Sequence, residues 1–216
     1  MRRRGWICVG WVLFVMIAAL TACSSGAATA ASTQAGSRAA GEPTQRPTTT
    51  AAVAVSSCAG AATVAQTEGP YYKAGAPERT TLVDGQTSGD LLLLTGQVTT
   101  AACEPMAGAV VDVWQADEHG EYDNVGYRMR GRVATDAEGR YVLETVIPGV
   151  YPGRTPHIHV KVFSPDGREL LTTQIYLTGV SEPIADSIFR PELLARDLPS
   201  DSEGRRAVAF DIVVAP

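Results

Sequence analysis

Histidine is scarce in this 216-residue chain, with three residues, at positions 119, 157 and 159. Cysteine is nearly as rare, with four, and their positions leave thiolates poor candidates for metal ligands. No His-Glu-x-x-His occurs, which excludes a helical zinc-protease site. Past Arg4 there is no basic run. Without a leader that holds Arg2, Arg3 and Arg4, 15 Lys and Arg stand against 23 Asp and Glu, a net charge of −8. An acidic domain of that kind is a poor binder of nucleic acid. There is neither an internal repeat nor a heptad.

What is present begins with an address. Three arginines precede an apolar run from Trp6 to Ala19, followed by Leu20-Thr21-Ala22-Cys23. A basic start, an apolar stretch and small residues before a cleavage point define an export signal. The run is short for a membrane-spanning helix, which needs ~20 residues, so cleavage is favoured over an uncleaved anchor. The Leu-Thr-Ala-Cys ending looks like a bacterial lipobox. That resemblance implies a leader over residues 1–22 and a lipid on Cys23, tethering the protein to a membrane surface without a span. Residues 23–57 are rich in Ala, Thr, Ser and Gly, with scattered Pro and no aromatic. Such a segment cannot bury enough apolar surface to offset its ordering entropy and reads as a disordered linker. Residues 58–216 have the length of one domain. With Cys8 in the leader and Cys23 lipidated, Cys58 and Cys103 form an even pair in an oxidising compartment. Their expected disulfide would contribute about 4 kcal/mol on the chain-entropy model.

Within the domain, strand-like runs recur between turn signals: Leu91–Val98, Ala109–Ala116, Gly131–Thr135, Tyr141–Val146, His157–Ser164, Glu169–Leu177 and Ala207–Val214. Only Pro183–Arg196 looks helical. Many short strands at this spacing suggest an all-β, antiparallel β-sandwich with long loops and one short helix. Gly108-Ala-Val-Val-Asp-Val-Trp114, Thr135-Asp-Ala-Glu-Gly-Arg-Tyr141 and Ile147-Pro-Gly-Val-Tyr151 resemble the transthyretin-like, or prealbumin-like, sandwich. That resemblance speaks to fold and not to function.

The chemistry concentrates in Pro148-Gly-Val-Tyr-Pro-Gly-Arg-Thr-Pro-His-Ile-His159. Side chains alternate along a strand, so His157 and His159 share one face, where they could chelate a metal. Ile158, Val160 and Val162 take the core face. Tyr151 and Arg154 lie just upstream on a Pro/Gly-bent loop. Tyr122 lies on another Gly-marked loop, after the strand that ends near Trp114, and the two loops can converge at one end of a sandwich. A phenol ionises near pH 10, and contact with a trivalent cation stabilises its phenolate at neutral pH. Phenolate oxygens with imidazoles suit Fe(III).

The chain resembles the intradiol ring-cleavage dioxygenases, of an exported branch. The match runs through Thr67-Glu-Gly-Pro-Tyr-Tyr72, Val113-Trp-Gln-Ala116, Gly120-Glu-Tyr122, Asp136-Ala-Glu-Gly139, the Tyr151-to-His159 block and Thr173-Gln-Ile-Tyr176. The resemblance implies four ligands to a non-haem Fe(III): Tyr122, Tyr151, His157 and His159. It makes Arg154 and Gln174 active-site residues and places Gly69 and Pro70 on the substrate pocket. It further implies an aromatic diol and O2 as substrates, with both oxygen atoms entering a cis,cis-muconate-type diacid. Tyr151 would leave the metal to act as a base, Arg154 would stabilise negative charge on the ring, and Gln174 would hydrogen bond.

Two stretches, Tyr151–His157 and Tyr122–Thr135, are shorter than in cytoplasmic members, and Gly153 stands where a bulky residue is often found. A more open pocket follows, and catechol, protocatechuate, hydroxyquinol and larger lignin-type catechols all stay open as substrates. The regions by which cytoplasmic members dimerise look absent, leaving the oligomeric state open. Trp114 reads as core, His119 as an exposed turn residue, and Arg128 and Arg130 as solvated strand residues. Tyr71, Tyr72 and Tyr176 fit either pocket or core. Two other functions are carried forward: a non-catalytic transthyretin-like spacer on a lipid anchor, and a zinc or copper enzyme pairing the histidines with Asp123 or Glu121.

Overall fold

The computed structural model describes residues 60–179 and 185–215. The leader, the linker, Cys23 and Cys58 lie outside the described residues. Nine strands run in chain order: β1 (Leu91–Thr100), β2 (Val110–Gln115), β3 (Arg130–Ala134), β4 (Arg140–Val146), β5 (His157–Phe163), β6 (Glu169–Tyr176), β7 (Arg196–Leu198), β8 (Arg206–Ala209) and β9 (Ile212–Val214). They form two sheets. One has the order β4-β1-β8-β7 with β9 also on β1, and the other is β3-β2-β5-β6. Every pairing is antiparallel except those of β8 and β9 with β1. The all-β sandwich is therefore as expected from the strand pattern.

The core lies between the sheets. Leu92, Leu94, Val98 and Leu143 from one meet Val111, Val113, Ile158, Val160, Val162 and Ile175 from the other, each fully buried. Fully burying one such side chain is worth ~1.5–3 kcal/mol, which fixes the strand faces. A slip of one residue would turn the whole set outward.

Two expectations need correction. The run Ala207–Val214 is two strands, not one. The chain jogs at Phe210, whose N–H donates to the Thr95 carbonyl (2.8 Å) and whose carbonyl accepts from the buried Tyr141 hydroxyl (2.7 Å). The Asp211 carboxylate then accepts the Gln97 N–H (3.0 Å), so β8 pairs with the first half of β1 and β9 with the second. The helix expected over Pro183–Arg196 is, among the described residues, only a 3₁₀ turn at Pro191–Leu193. Residues 180–184 lie outside the described residues. The polar groups of the next stretch are committed elsewhere: Asp186 accepts the N–H groups of Thr155 and Ile188 (3.0 and 3.1 Å). Arg196 opens β7 instead of closing a helix. Cys103 is disulfide-bonded.

The segment before β1 straps both sheets. Thr63 N–H donates to Val213 of β9 (2.9 Å), and Gln66 N–H to Thr172 of β6 (2.8 Å). The strap then runs over the outer face of the four-stranded sheet.

Candidate active site

The register of β2, β3, β5 and β6 builds that outer face in rows. Opposite His159 lie Gln174 on one side and Trp114 on the other, and Arg130 follows Trp114. Opposite His157 lies Tyr176. His157 Nδ1 is 2.6 Å from the Thr155 carbonyl. A carbonyl only accepts, so the proton sits on Nδ1 and the Nε2 lone pair is free. That lone pair faces His159 Nε2 at 3.0 Å. Two nitrogens bound side by side to one ion at ~2.1 Å each would be this far apart. Both imidazoles are buried. Burial, aided by the Arg154 charge, holds His157 down at about 4 and His159 well below its ordinary value. Both are neutral at pH 7, the form a metal requires. His159 Nδ1 is buried without a protein partner. Its ring is held by parallel stacking on Trp114, at 4.8 Å and 10°, and Gly69 lies beside it, where a Cβ would come 3.4 Å from Cε1.

The phenols come from two loops locked backbone to backbone. A Cβ on Gly120 would fall 2.3 Å from the Val150 carbonyl oxygen, and one on Gly149 would fall 2.4 Å from Gly120 N. Only glycines permit this approach. Gly149 N–H donates to the Asp117 carbonyl (2.7 Å), while the Asp117 carboxylate takes the N–H groups of His119 and Glu121 and the Arg128 guanidinium. Tyr122 and Tyr151 are thereby brought to 5.9 Å between ring centroids, in an edge arrangement, with Tyr122 6.2 Å from the His159 ring. Tyr71 of the strap spans them. Its ring stacks on Tyr122 at 4.3 Å and its hydroxyl is 2.9 Å from that of Tyr151. Burial pushes Tyr122 well above the usual phenol value, against the opposing Arg154 charge. A phenolate there needs a cation in contact.

On the far side of His157, Arg154 is held on three sides. Its Nε donates to both oxygens of Asp186 (3.1 Å each) and its Nη2 to Gln174 Oε1 (2.5 Å) and Tyr176 Oη (3.4 Å). Gln174 is fully buried; its Oε1 also accepts from Tyr176 (3.0 Å) and its Nε2 donates to the Thr67 carbonyl (3.1 Å).

The residues expected from sequence are thus linked as neighbours on this face: Tyr151 by Tyr122, Tyr122 by His159, His159 by His157 and opposite Gln174, and Gln174 on Arg154, with Gly69 beside His159. Pro70 is exposed on the strap. His119 is an exposed turn residue as expected, at 71 %. Trp114 is buried but faces the site, not the core between the sheets. Arg130 is not solvated. It is 1 % exposed and donates to the carbonyls of Tyr71 (2.6 Å) and Asp123 (2.8 Å). Arg130 sits opposite Trp114 in the register and shares its covered face. Arg128 is half-buried and paired with Asp117 (2.8 Å). Tyr71 and Tyr176 join the site. Tyr72 packs at a tilt against Trp114 and donates to Asp112 (3.2 Å). Asp186 also joins the site through Arg154 and Thr155, and nothing local in the sequence marks it.

A zinc or copper site with Asp123 or Glu121 finds no support. Asp123 accepts the N–H groups of Val125, Gly126 and Arg128 (2.7–2.9 Å), which hold it down at about 2 as a turn anchor. Among the described residues no group of three His, Cys, Asp or Glu could hold a metal. The donors that join the imidazoles are phenols, which fits a hard trivalent ion.

Residues 67–216 match the family model described as Dioxygenase. The chain belongs to the intradiol ring-cleaving dioxygenases. It is 34% identical over 138 residues to catechol 1,2-dioxygenase 2 of Acinetobacter lwoffii, covering 52% of this chain and 50% of that protein. It is 32% identical over 157 residues to the protocatechuate 3,4-dioxygenase beta chain of Burkholderia cepacia, covering 61% and 67%. The chain spans about half the length of the first curated relatives it matches. Among solved structures, it resembles the dioxygenase domain of a dioxygenase–carbohydrate-binding fusion from Streptomyces sp. SirexAA-E. There the TM-score is 0.66 and the identity 42%, over 72% of this chain and 99% of that one. The 3-chlorocatechol 1,2-dioxygenase of Rhodococcus opacus 1CP gives a TM-score of 0.62 at 26% identity, over 71% and 72%. The intradiol dioxygenase fold is thus shared across proteins with differing aromatic diols in their names.

Proposed function

We propose that this protein is a non-haem Fe(III) intradiol dioxygenase that opens a catechol-type ring between its hydroxyls with O2, giving a cis,cis-muconate-type diacid. The observation that carries the proposal is the pair of Nε2 atoms 3.0 Å apart, with the Tyr122 ring beside His159 and the Tyr151 ring beside Tyr122. Tyr122, Tyr151, His157 and His159 would hold the ion. Iron bound there supplies a Lewis acid that favours the ionised diol and draws on the ring's electrons.

The chain's own groups do the rest. Tyr151 takes a substrate proton at its phenol oxygen, where the Tyr71 hydroxyl stays within hydrogen-bond reach. Arg154 sets a fixed positive charge beside the site, where negative charge develops on the ring. Gln174, spending its oxygen on Arg154 and Tyr176, fixes that charge in place. Gly69 and Pro70 bound the substrate side of His159. A Cβ on Gly153 would meet no atom within 4 Å, which favours an open mouth able to take a substituted catechol.

The lipobox-like leader supports export and attachment of Cys23 to the outer face of a bacterial membrane. The disulfide at Cys103 suits an oxidising compartment. The test is O2 uptake by purified protein across a panel of catechols, with metal content and products identified. Near-stoichiometric iron and ring-opened diacid are expected. Colourless, zinc-loaded protein that consumes no O2 with any catechol would refute the proposal.

A further inference from the structure

Asp186 has a buried side chain that touches the Tyr151-to-His159 loop without being part of the ligand set. Its side chain is 1 % exposed, against 21 % for Arg154. It accepts four hydrogen bonds from three groups at once. Both oxygens take Arg154 Nε at 3.1 Å, Oδ2 takes the Thr155 N–H at 3.0 Å, and Oδ1 takes the Ile188 N–H at 3.1 Å. Thr155 passes the constraint on, because its carbonyl accepts the Nδ1 proton of His157 at 2.6 Å. Arg154 passes it the other way, through Nη2 to Gln174 at 2.5 Å. One carboxylate therefore fixes the fork of the arginine and the loop that orients an imidazole.

We propose that Asp186 is a positioning residue, which sets the direction of the Arg154 guanidinium and, through the Thr155 backbone, the orientation of the His157 ring. The inference rests on the dioxygenase reading above. Several features favour positioning over simple stability. Nε bonding leaves the far end of the guanidinium aimed at Gln174 and the site. The pair is charge-assisted and mostly shielded from water, where such bonds direct geometry most strongly. The bond to Ile188 also ties the segment after residues 180–184 to the site, and Gln66 of the strap donates to the Ile188 carbonyl (2.8 Å) from the other side. The carboxylate thus sits where the site loop, the strap and the 185–190 segment meet.

Asp186→Asn keeps size and shape but turns one acceptor oxygen into a donor, so either Thr155 or Ile188 N–H loses its partner. In the iron-loaded full-length protein, kcat should fall about 10- to 100-fold, the scale of a small misplacement of an active-site group. KM should change less, iron stoichiometry should stay near wild type, and the visible band of the iron-loaded protein should shift. The decisive comparison is the double variant. Because Asp186 acts in part through Arg154, the double variant Arg154→Gln with Asp186→Asn loses less than the product of the two single losses. Losses that multiply, or Asp186→Asn with wild-type kcat and band, overturn the proposal. Should neither Asp186→Asn nor Asp186→Glu fold, the wild type decides. With diamagnetic gallium in place of iron, the Arg154 Nε–H should give a slowly exchanging NMR resonance, identified by its loss in Arg154→Lys. A fast-exchanging Nε–H overturns the proposal. Wild-type protein without iron or ring cleavage would instead sink the dioxygenase reading, and the two failures are distinct.

Discussion

The two faces of strands β2 and β5 are equally dry and differ in kind. Inward, Val111, Val113, Ile158, Val160 and Val162 are fully buried against the other sheet. Outward, Asp112, Trp114, His157, His159 and Lys161 are also buried, none above 6 %. What covers them is the strap before β1, which lays Tyr71 and Tyr72 over the face and pairs Glu68 with Lys161 (2.7 Å). One face is a core that holds the sheet. The other is a second, polar interior, in which desolvated side chains meet a loop-borne set of phenols. Removing a side chain should cost stability on one face and chemistry on the other.

Neighbouring substitutions on β5 test that contrast most sharply. His159→Ala should lower iron affinity by at least a hundredfold, more than loss of a supporting contact would, and bring ring cleavage to background. The fold of the metal-free protein should persist, as measured by circular dichroism. One residue away, Ile158→Ala should lose about 2–5 kcal/mol of unfolding free energy in urea, with colour and turnover per folded, iron-loaded molecule unchanged. If Ile158→Ala also bleaches the protein, the faces are not separable.

The cover itself gives the next effect. Arg130→Met removes the donor to the Tyr71 and Asp123 carbonyls and should cost about 1–3 kcal/mol, read as faster proteolysis between residues 60 and 80. Tyr71→Phe keeps the stack on Tyr122 and loses the bond to Tyr151. A net hydrogen bond of about 1 kcal/mol corresponds to a five- to tenfold loss in kcat, with iron retained.

The smallest effect is electrostatic. Burial raises Asp112 to about 6, against the pull of Tyr72, Arg132 and Lys161. Its folded value then lies above the unfolded one, near 3.9. The folded state holds the extra proton between those limits, so this residue's contribution to stability falls as pH rises from about 4 to about 6. Asp112→Asn, which can still accept from Tyr72, should flatten that part of the stability–pH curve in thermal melts.

Much of this was legible along the chain, for local reasons. Alternation put His157 and His159 on one face and Ile158 and Val160 on the other, and the structure keeps that pattern through the β5 register. The family motif supplied Tyr122, Tyr151, Arg154 and Gln174, which lie on three separate stretches of the sequence. What stayed illegible depends on long-range cover. Arg130 reads as solvated because charge on a strand usually faces water, and only the strap makes its surroundings dry. Among the described residues, the helix expected over Pro183–Arg196 gives way because Asp186 bonds Arg154, Thr155 and Ile188, a partner set no local window contains. Ala207–Val214 reads as one strand because the jog at Phe210 is imposed from β1 and Tyr141.

The visible absorption spectrum of the purified, iron-loaded protein tests the phenol-and-imidazole centre most directly. The expected result is a red-brown tyrosinate-to-Fe(III) band that bleaches or shifts when a catechol is added without O2. A colourless protein carrying stoichiometric iron, with no band in the visible, would contradict coordination by Tyr122 and Tyr151.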